Sequence, residues 1–211
     1  MKYLDDKEAK KMIIETGKMM YAKNFVAAND GNISCRVNDN AVWITPAGVS
    51  KGFMKEDALI EMDLQGKILA GLSKPSSEYR MHLKVYNENA KVGAVVHAHP
   101  PAATAFAVAG LALDKPVYAE SVAFLGQVPL APYARQGTEE IPRAIAPYCQ
   151  NYKALLLANH GALAWGKDLT EAWYRLEAVE HYALISLYVK NLGQAHELNE
   201  EEVNFLLGKN R

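Results

Sequence analysis

Two histidines, in the order His97-Ala98-His99, close an apolar run at residues 92–96. Residues i and i+2 of a strand point to the same face, so the two imidazoles lie side by side. That spacing can share one metal ion. It can equally be two hydrogen-bonded histidines at a strand end. A third, His160, follows a second apolar run at 153–158 and precedes Gly161, where the backbone is free to turn sharply or approach a ligand. Three imidazoles at strand ends would make the three-nitrogen site with one open position of catalytic zinc. Neutral ligands leave such a site cationic, which suits a metal that must hold developing oxyanion charge. Glu78 is the fourth candidate. After Ser76 and Ser77 it reads either as a charge favoured at a helix N-terminus or as a ligand and proton shuttle. Spacing alone does not choose.

Three turns could serve an anion: Asn29-Asp30-Gly31-Asn32, Thr45-Pro46-Ala47-Gly48 and Pro75-Ser76-Ser77. Each offers backbone N–H groups or hydroxyls to a phosphate. Each is also an ordinary turn, and none matches a Walker or dinucleotide fingerprint.

The elements that must position these residues are legible in outline. Residues 7–23 form an amphipathic helix with Ala9, Met12, Ile13, Thr16, Met19 and Met20 on one stripe. Residues 33–37 and 41–45 pattern as a hairpin across Asn38-Asp39-Asn40. A helix is predicted to start near Ser77-Glu78, with Ser77 as a good N-cap. Strand 92–97 is closed by Pro100-Pro101, and 102–109 is helical. Asp168 and Glu171 fit a capping box. It opens the clearest helix, with Leu169, Ala172, Trp173, Leu176, Val179, Ala183 and Leu187 on one face. Residues 194–211 read as a polar tail, mobile or docking. His82, one turn after Glu78, packs or supports the metal shell. His181 lies on the polar flank of the last long helix, and Trp43, Trp165 and Trp173 read as core or interface aromatics. The fold expected is α/β: a single domain over residues 1–211, with a central, mainly antiparallel β-sheet flanked by helices.

Composition bounds the function. With 211 residues, 50% hydrophobic and 22% charged, the chain is neither disordered, collagenous nor a coiled coil. Its 23 Lys+Arg against 24 Asp+Glu leave a net charge of −1, unlike a strongly basic nucleic-acid binder. Cys35 and Cys149 stand far apart and outside any C-x-x-C, which fits a reduced, intracellular protein. The start Met1-Lys2-Tyr3-Leu4 carries no apolar export core. The nearly apolar run 100–113 is too short to span a bilayer. A cytoplasmic protein with no membrane partner is expected.

Taken together, Gly31-Asn32-Ile33-Ser34, Ile44-Thr45-Pro46-Ala47-Gly48, Pro75-Ser76-Ser77-Glu78, Val95-Val96-His97-Ala98-His99-Pro100, residues 131–138 (A-P-Y-A-R-Q-G-T) and Asn159-His160-Gly161-Ala162-Leu163 resemble the class II aldolase/adducin family. Six elements occur in order, and the resemblance runs from about residue 8 to residue 190.

The resemblance implies a fourfold-symmetric homotetramer with active sites at subunit interfaces. It implies that His97, His99 and His160 bind one Zn²⁺ per subunit, or another divalent ion. Glu78 would complete the shell and act as acid/base once substrate binds. The substrate, a phosphorylated sugar, would rest its phosphate against Gly31, Asn32, Ala47, Gly48, Ser76 and Ser77. Ala47 and Asn29 stand where relatives carry hydroxyl residues. The implied reaction is reversible cleavage of a ketose 1-phosphate, L-fuculose 1-phosphate foremost, to dihydroxyacetone phosphate and an aldehyde such as L-lactaldehyde. The acid for the aldehyde oxygen would be Tyr118 or Glu120. An epimerase of L-ribulose 5-phosphate usually carries Asp-Thr after its Pro-Ser-Ser, whereas Glu78-Tyr79 stands here. Aldolases of other deoxy-ketose phosphates, such as 5-deoxyribulose 1-phosphate, and a methylthioribulose-phosphate dehydratase are the nearer alternatives. A non-catalytic scaffold like the adducin head would lack the four metal residues present here.

Overall fold

The computed structural model describes residues 3–208. Helix α1 (Asp6–Ala22) is capped by Asp5, whose carboxylate accepts the Glu8 N–H at 2.8 Å. Its buried face runs through Ala9, Ile13, Thr16 and Met20 as expected, but also takes in Ile14 and Gly17. A Cβ at Gly17 would lie 2.7 Å from the Lys51 carbonyl oxygen, so this face meets backbone directly. Met19 lies about 200° round the helix from Gly17 and is exposed, contrary to the predicted stripe.

The hairpin forms as predicted from β1 (Asn32–Arg36) and β2 (Ala41–Ile44). Two short strands that the pattern did not reveal, β3 (Ile60–Asp63) and β4 (Ile68–Ala70), extend it. The other strands are β5 (Ala94–Ala98), β6 (Leu130–Ala131), β7 (Ala154–Leu157) and β8 (Gly161–Gly166). The sheet order is β4-β3-β2-β1-β5-β8-β7-β6, antiparallel throughout except for the β6–β7 pair. The fold is therefore the α/β arrangement expected, with a mostly antiparallel sheet.

Helices cover both faces, so β2, β5, β7 and β8 are buried along their whole length and read as nearly continuous apolar runs. One core joins Ile33, Cys35, Ala94 and Val96 to α1, α3 (Pro101–Val108) and α6 (Leu169–Leu192). The other joins Val42, Ile44, Val95 and Leu163 to α2 (Tyr79–Glu88) and α5 (Glu140–Ile145). Period-two alternation places His97 on the same face as Val95, the face covered by α2. Its ladder partner is Asn32, and that of Val95 is Ser34.

Three local expectations are corrected. The N-cap of α2 is Glu78 itself, not Ser77; its own side chain makes no cap bond, while Ser76 Oγ accepts the Glu78 N–H at 3.3 Å. Asp168 caps α6 by accepting the Glu171 N–H at 2.8 Å. The reciprocal bond goes elsewhere, because the Glu171 carboxylate accepts from Lys167 N and Arg175. Leu187, predicted on the buried face of α6, is more than a third exposed. The polar tail is structured: Asn199 and Glu202 form a full capping box for α7 (Glu200–Leu206), which packs on α4 (Ala119–Phe124). Residues 209–211 lie outside the described residues. Cys35 and Cys149 are both buried and free, and Trp43, Trp165 and Trp173 are all core residues. No helix among the described residues is long and apolar enough to cross a membrane.

Candidate metal centre

The three histidines that the sequence singled out meet at one point. His97 comes from within β5, His99 from just past its end, and His160 from the tight connection between β7 and β8. Their ring centroids lie 4.6–5.2 Å apart, and one ligand nitrogen from each falls within 4.8 Å of the others. Asn159 holds φ +55° at that connection, a conformation Asn tolerates better than most residues. Gly161 is needed for space rather than for φ. A Cβ there would lie 2.5 Å from Ala98 O and 2.6 Å from His99 Cδ2. Gly161→Ala is therefore expected to push the His99 ring out of place and weaken metal binding about 10–100-fold, as loss of an orienting contact does. Metal titration of the variant checks this; wild-type affinity would show that the ring position does not depend on the glycine.

The tautomers point the same way. His97 Nδ1 donates to the Ala162 carbonyl at 2.9 Å, so its Nε2 carries a lone pair. His99 Nδ1 donates to Asp30 Oδ2 at 3.2 Å, which leaves its Nε2 a lone pair as well. Both Nε2 atoms are buried without a hydrogen-bond partner, as is Glu78 Oε1. Glu78 Oε1 lies 3.2 Å from His160 Nε2, and Oε2 lies 3.3 Å from His97 Nε2. A carboxylate facing neutral imidazole lone pairs is an acceptor set against acceptors. Such a constellation is stable when a cation sits among them, and the donor set suits a borderline ion such as zinc. The side chains therefore fit a metal.

Burial keeps the imidazoles of His97 and His160 neutral. Desolvation first, and then His160 and His99 beside it, holds His97 well below its ordinary value. His160 is lowered to about 4, by burial and then by His99. Burial raises the Glu78 carboxyl, against the lowering effect of a hydrogen bond from Asn32. Neutral imidazole is the form a metal binds.

The three candidate anion turns converge beside this centre. Pro46 and Pro75 form an antiparallel bridge, and Ser76 N donates to Thr45 O at 3.1 Å. The Ala47 N–H donates to Lys74 O at 2.9 Å, so Ala47 offers no free amide to a phosphate. Gly48, at φ +71°, and Ser77 are exposed on the same lip. Gly31, at φ +74°, sits tight against His97 O. The sequence reading missed Lys51. Its buried ammonium donates to Asn29 O at 3.0 Å and Val49 O at 2.6 Å, tying the first turn to the second, and burial lowers its pKa to about 8. Asp30 was read only as part of a turn, yet it orients His99. The Asn32 side chain is turned inward, donating to Glu78 Oε2 at 3.0 Å and meeting His82 at 2.5 Å, instead of lining the turn. The Tyr118 ring packs edge-on against His181 at 5.9 Å, and Glu120 is exposed in the first turn of α4. These contacts place neither residue in the histidine cluster of its own chain.

Residues 11–187 match the family described as Class II Aldolase and Adducin N-terminal domain. An L-fuculose phosphate aldolase of Methanococcus maripaludis is 34% identical over 179 residues, 83% of this chain and 94% of its own. A 3-oxo-tetronate 4-phosphate decarboxylase of Haemophilus influenzae is 32% identical over 185 residues, 85% of this chain and 87% of its own. A solved L-fuculose 1-phosphate aldolase superposes with a TM-score of 0.90 at 32% identity, covering 96% of this chain and 95% of that one.

Proposed function

The chain belongs to the class II aldolase and adducin family, and we propose that it is a metal-dependent lyase that releases dihydroxyacetone phosphate by breaking a carbon–carbon bond, with L-fuculose 1-phosphate as substrate and L-lactaldehyde as the second product. The observation that carries this reading is the convergence of three imidazole nitrogens and a largely buried carboxylate on one point. His97, His99 and His160 would hold the cation, Zn²⁺ by preference, one per chain. When bound, it supplies Lewis-acid neutralisation of the negative charge that cleavage leaves on the substrate's C2 and C3 oxygens.

The remaining chemistry belongs to side chains. Breaking the bond between C3 and C4 leaves an enediolate, which needs a proton at C3. Glu78 supplies it, and removes it in the reverse direction. Burial raises the carboxyl, which brings its proton affinity closer to what that exchange requires. Gly48, Ser76 and Ser77, with the Gly31-Asn32 backbone, form the phosphate lip; Ala47 contributes shape only. The proton for the aldehyde oxygen comes from Tyr118 or Glu120 of a neighbouring copy in a homotetramer; in its own chain the Tyr118 ring packs on His181 and Glu120 is exposed. Free, buried Cys35 and Cys149 suit the reducing cytoplasm.

The Haemophilus relative favours a second reading. Loss of carbon dioxide from a 3-oxo-tetronate 4-phosphate leaves the same enediolate, so the metal and Glu78 would serve unchanged. A product assay decides. Incubation with L-fuculose 1-phosphate, L-rhamnulose 1-phosphate, 5-deoxyribulose 1-phosphate, L-ribulose 5-phosphate and 3-oxo-tetronate 4-phosphate should give dihydroxyacetone phosphate fastest from the first. Its appearance from the last alone would replace the aldolase with the decarboxylase. Its absence from all of them would remove both readings.

A further inference from the structure

A file of buried polar groups runs from Glu78 into the second core, through residues of β1 and α2. Asn32 Nδ2 donates to Glu78 Oε2 at 3.0 Å; Asn32 Oδ1 lies 2.5 Å from His82 Nε2; His82 Nδ1 lies 2.7 Å from Ser34 Oγ; and Ser34 Oγ lies 2.8 Å from the Tyr86 hydroxyl. Asn32, Ser34, His82 and Tyr86 are all buried. Burial also lowers the His82 pKa to about 3, so the ring is neutral and has one N–H to place.

The carboxylate sets the direction of the whole file. An ionised Glu78 only accepts, so the Asn32 amide must turn its NH₂ toward it and its oxygen toward His82. His82 must then carry its hydrogen on Nε2 and accept at Nδ1. The Ser34 hydroxyl gives its hydrogen to Nδ1, and Tyr86 gives its own to Ser34. Every donor points toward Glu78. The other His82 tautomer would present a lone pair to Asn32 Oδ1 and favour a flipped amide, with oxygen facing carboxylate. The consequence for Glu78 is asymmetric: Oε2 is committed to Asn32, whereas Oε1 has no hydrogen-bond partner.

We infer that His82 is a positioning residue that, through Asn32, fixes Glu78 so that Oε1 is the oxygen that carries the proton to and from substrate. The kinetic part rests on the acid/base reading of Glu78; the tautomer part does not. Ring-nitrogen NMR of the whole protein, with the His82 signals assigned by their loss in His82→Gln, should show Nε2–H and a bare Nδ1. A ring protonated on Nδ1 overturns the inference.

The second readout is exchange of the C3 hydrogen of dihydroxyacetone phosphate into D₂O by the zinc-loaded protein. It needs no knowledge of the aldehyde. His82→Leu keeps the bulk but has no donor. It should slow the maximal exchange rate about 10–100-fold while KM stays within about threefold and zinc content is unchanged. Gln reaches as far as Nε2 with an N–H and should recover most of the loss. Ser34→Ala gives a milder test if the leucine variant does not fold: losing the hydroxyl that fixes Nδ1 should lower exchange and mix the tautomers. Wild-type exchange rates in folded His82→Leu or in Ser34→Ala, or equal losses in the Leu and Gln variants, overturn the positioning role and leave Glu78 as the base. No exchange by the wild type overturns the base as well.

Discussion

Glu78→Gln is expected to lower turnover and C3 hydrogen exchange at least about a thousandfold, within the range spanned by loss of a general acid–base group. The substitution keeps the volume and the hydrogen bond from Asn32, since the glutamine oxygen accepts where Oε2 did. It removes the carboxylate proposed to take up and return a proton there. The three imidazoles are untouched, so most of the metal should remain. The variant's NH₂ would fall beside His160 Nε2, where Glu78 Oε1 now lies at 3.2 Å, and a neutral amide replaces the carboxylate there. Metal affinity should therefore weaken modestly, and occupancy must be measured beside the rate. Zinc content near one per chain together with lost exchange is the expected pair. A metal-loaded Glu78→Gln that keeps a tenth or more of the wild-type rate would remove Glu78 from the mechanism.

How this centre could be read from the sequence depends on which of its contacts are local. His97 and His99 announce themselves by period two, and His160 by its place beside Gly161, because strand ends and tight turns leave local marks. The glycine proved necessary for clearance against Ala98 and His99, a contact between β5 and β8 that no local pattern encodes. Glu78 was ambiguous for the same reason. Its neighbours in sequence are Ser76 and Ser77, but its partners in space come from β1, β5 and the β7–β8 connection. The family resemblance supplied what spacing could not. It did not reveal that the Asn32 side chain turns inward, that Ala47 spends its N–H on Lys74, or that Lys51 ties two turns together. Strands β3 and β4 were missed because each is short, and β3 carries Glu61 and Asp63 toward partly exposed positions. Of the two readings of the tail, docking is the one seen: Glu200 to Glu202 are the acidic first turn of a capped helix that packs on α4.

Removing the metal should lower stability as well as activity. A ligand that binds only the folded chain stabilises it by about 4 kcal/mol at a thousand times its Kd. For a chain of this size each kcal/mol is worth roughly 2–4 °C of Tm, so chelation of zinc-saturated protein should lower Tm by roughly 8–16 °C. The effect is specific to this site because the acceptors it leaves facing one another, Glu78 Oε1 and the Nε2 atoms of His97 and His99, have no other partner. His97→Ala should abolish the chelator's effect, bind zinc at least about a hundredfold more weakly and lose exchange. The metal-free protein should also be acid-labile. His97 and His160 have folded pKa values below those of the unfolded chain, so the stability they contribute is present above about pH 6.5. It is lost as the pH falls toward 4, because the unfolded chain takes up protons that the buried imidazoles refuse. Zinc should raise the stability at each pH without flattening that slope, because the nitrogens it occupies take up no protons either. A wild-type Tm that ignores both chelator and added zinc would mean that the three imidazoles meet for some purpose other than holding a metal.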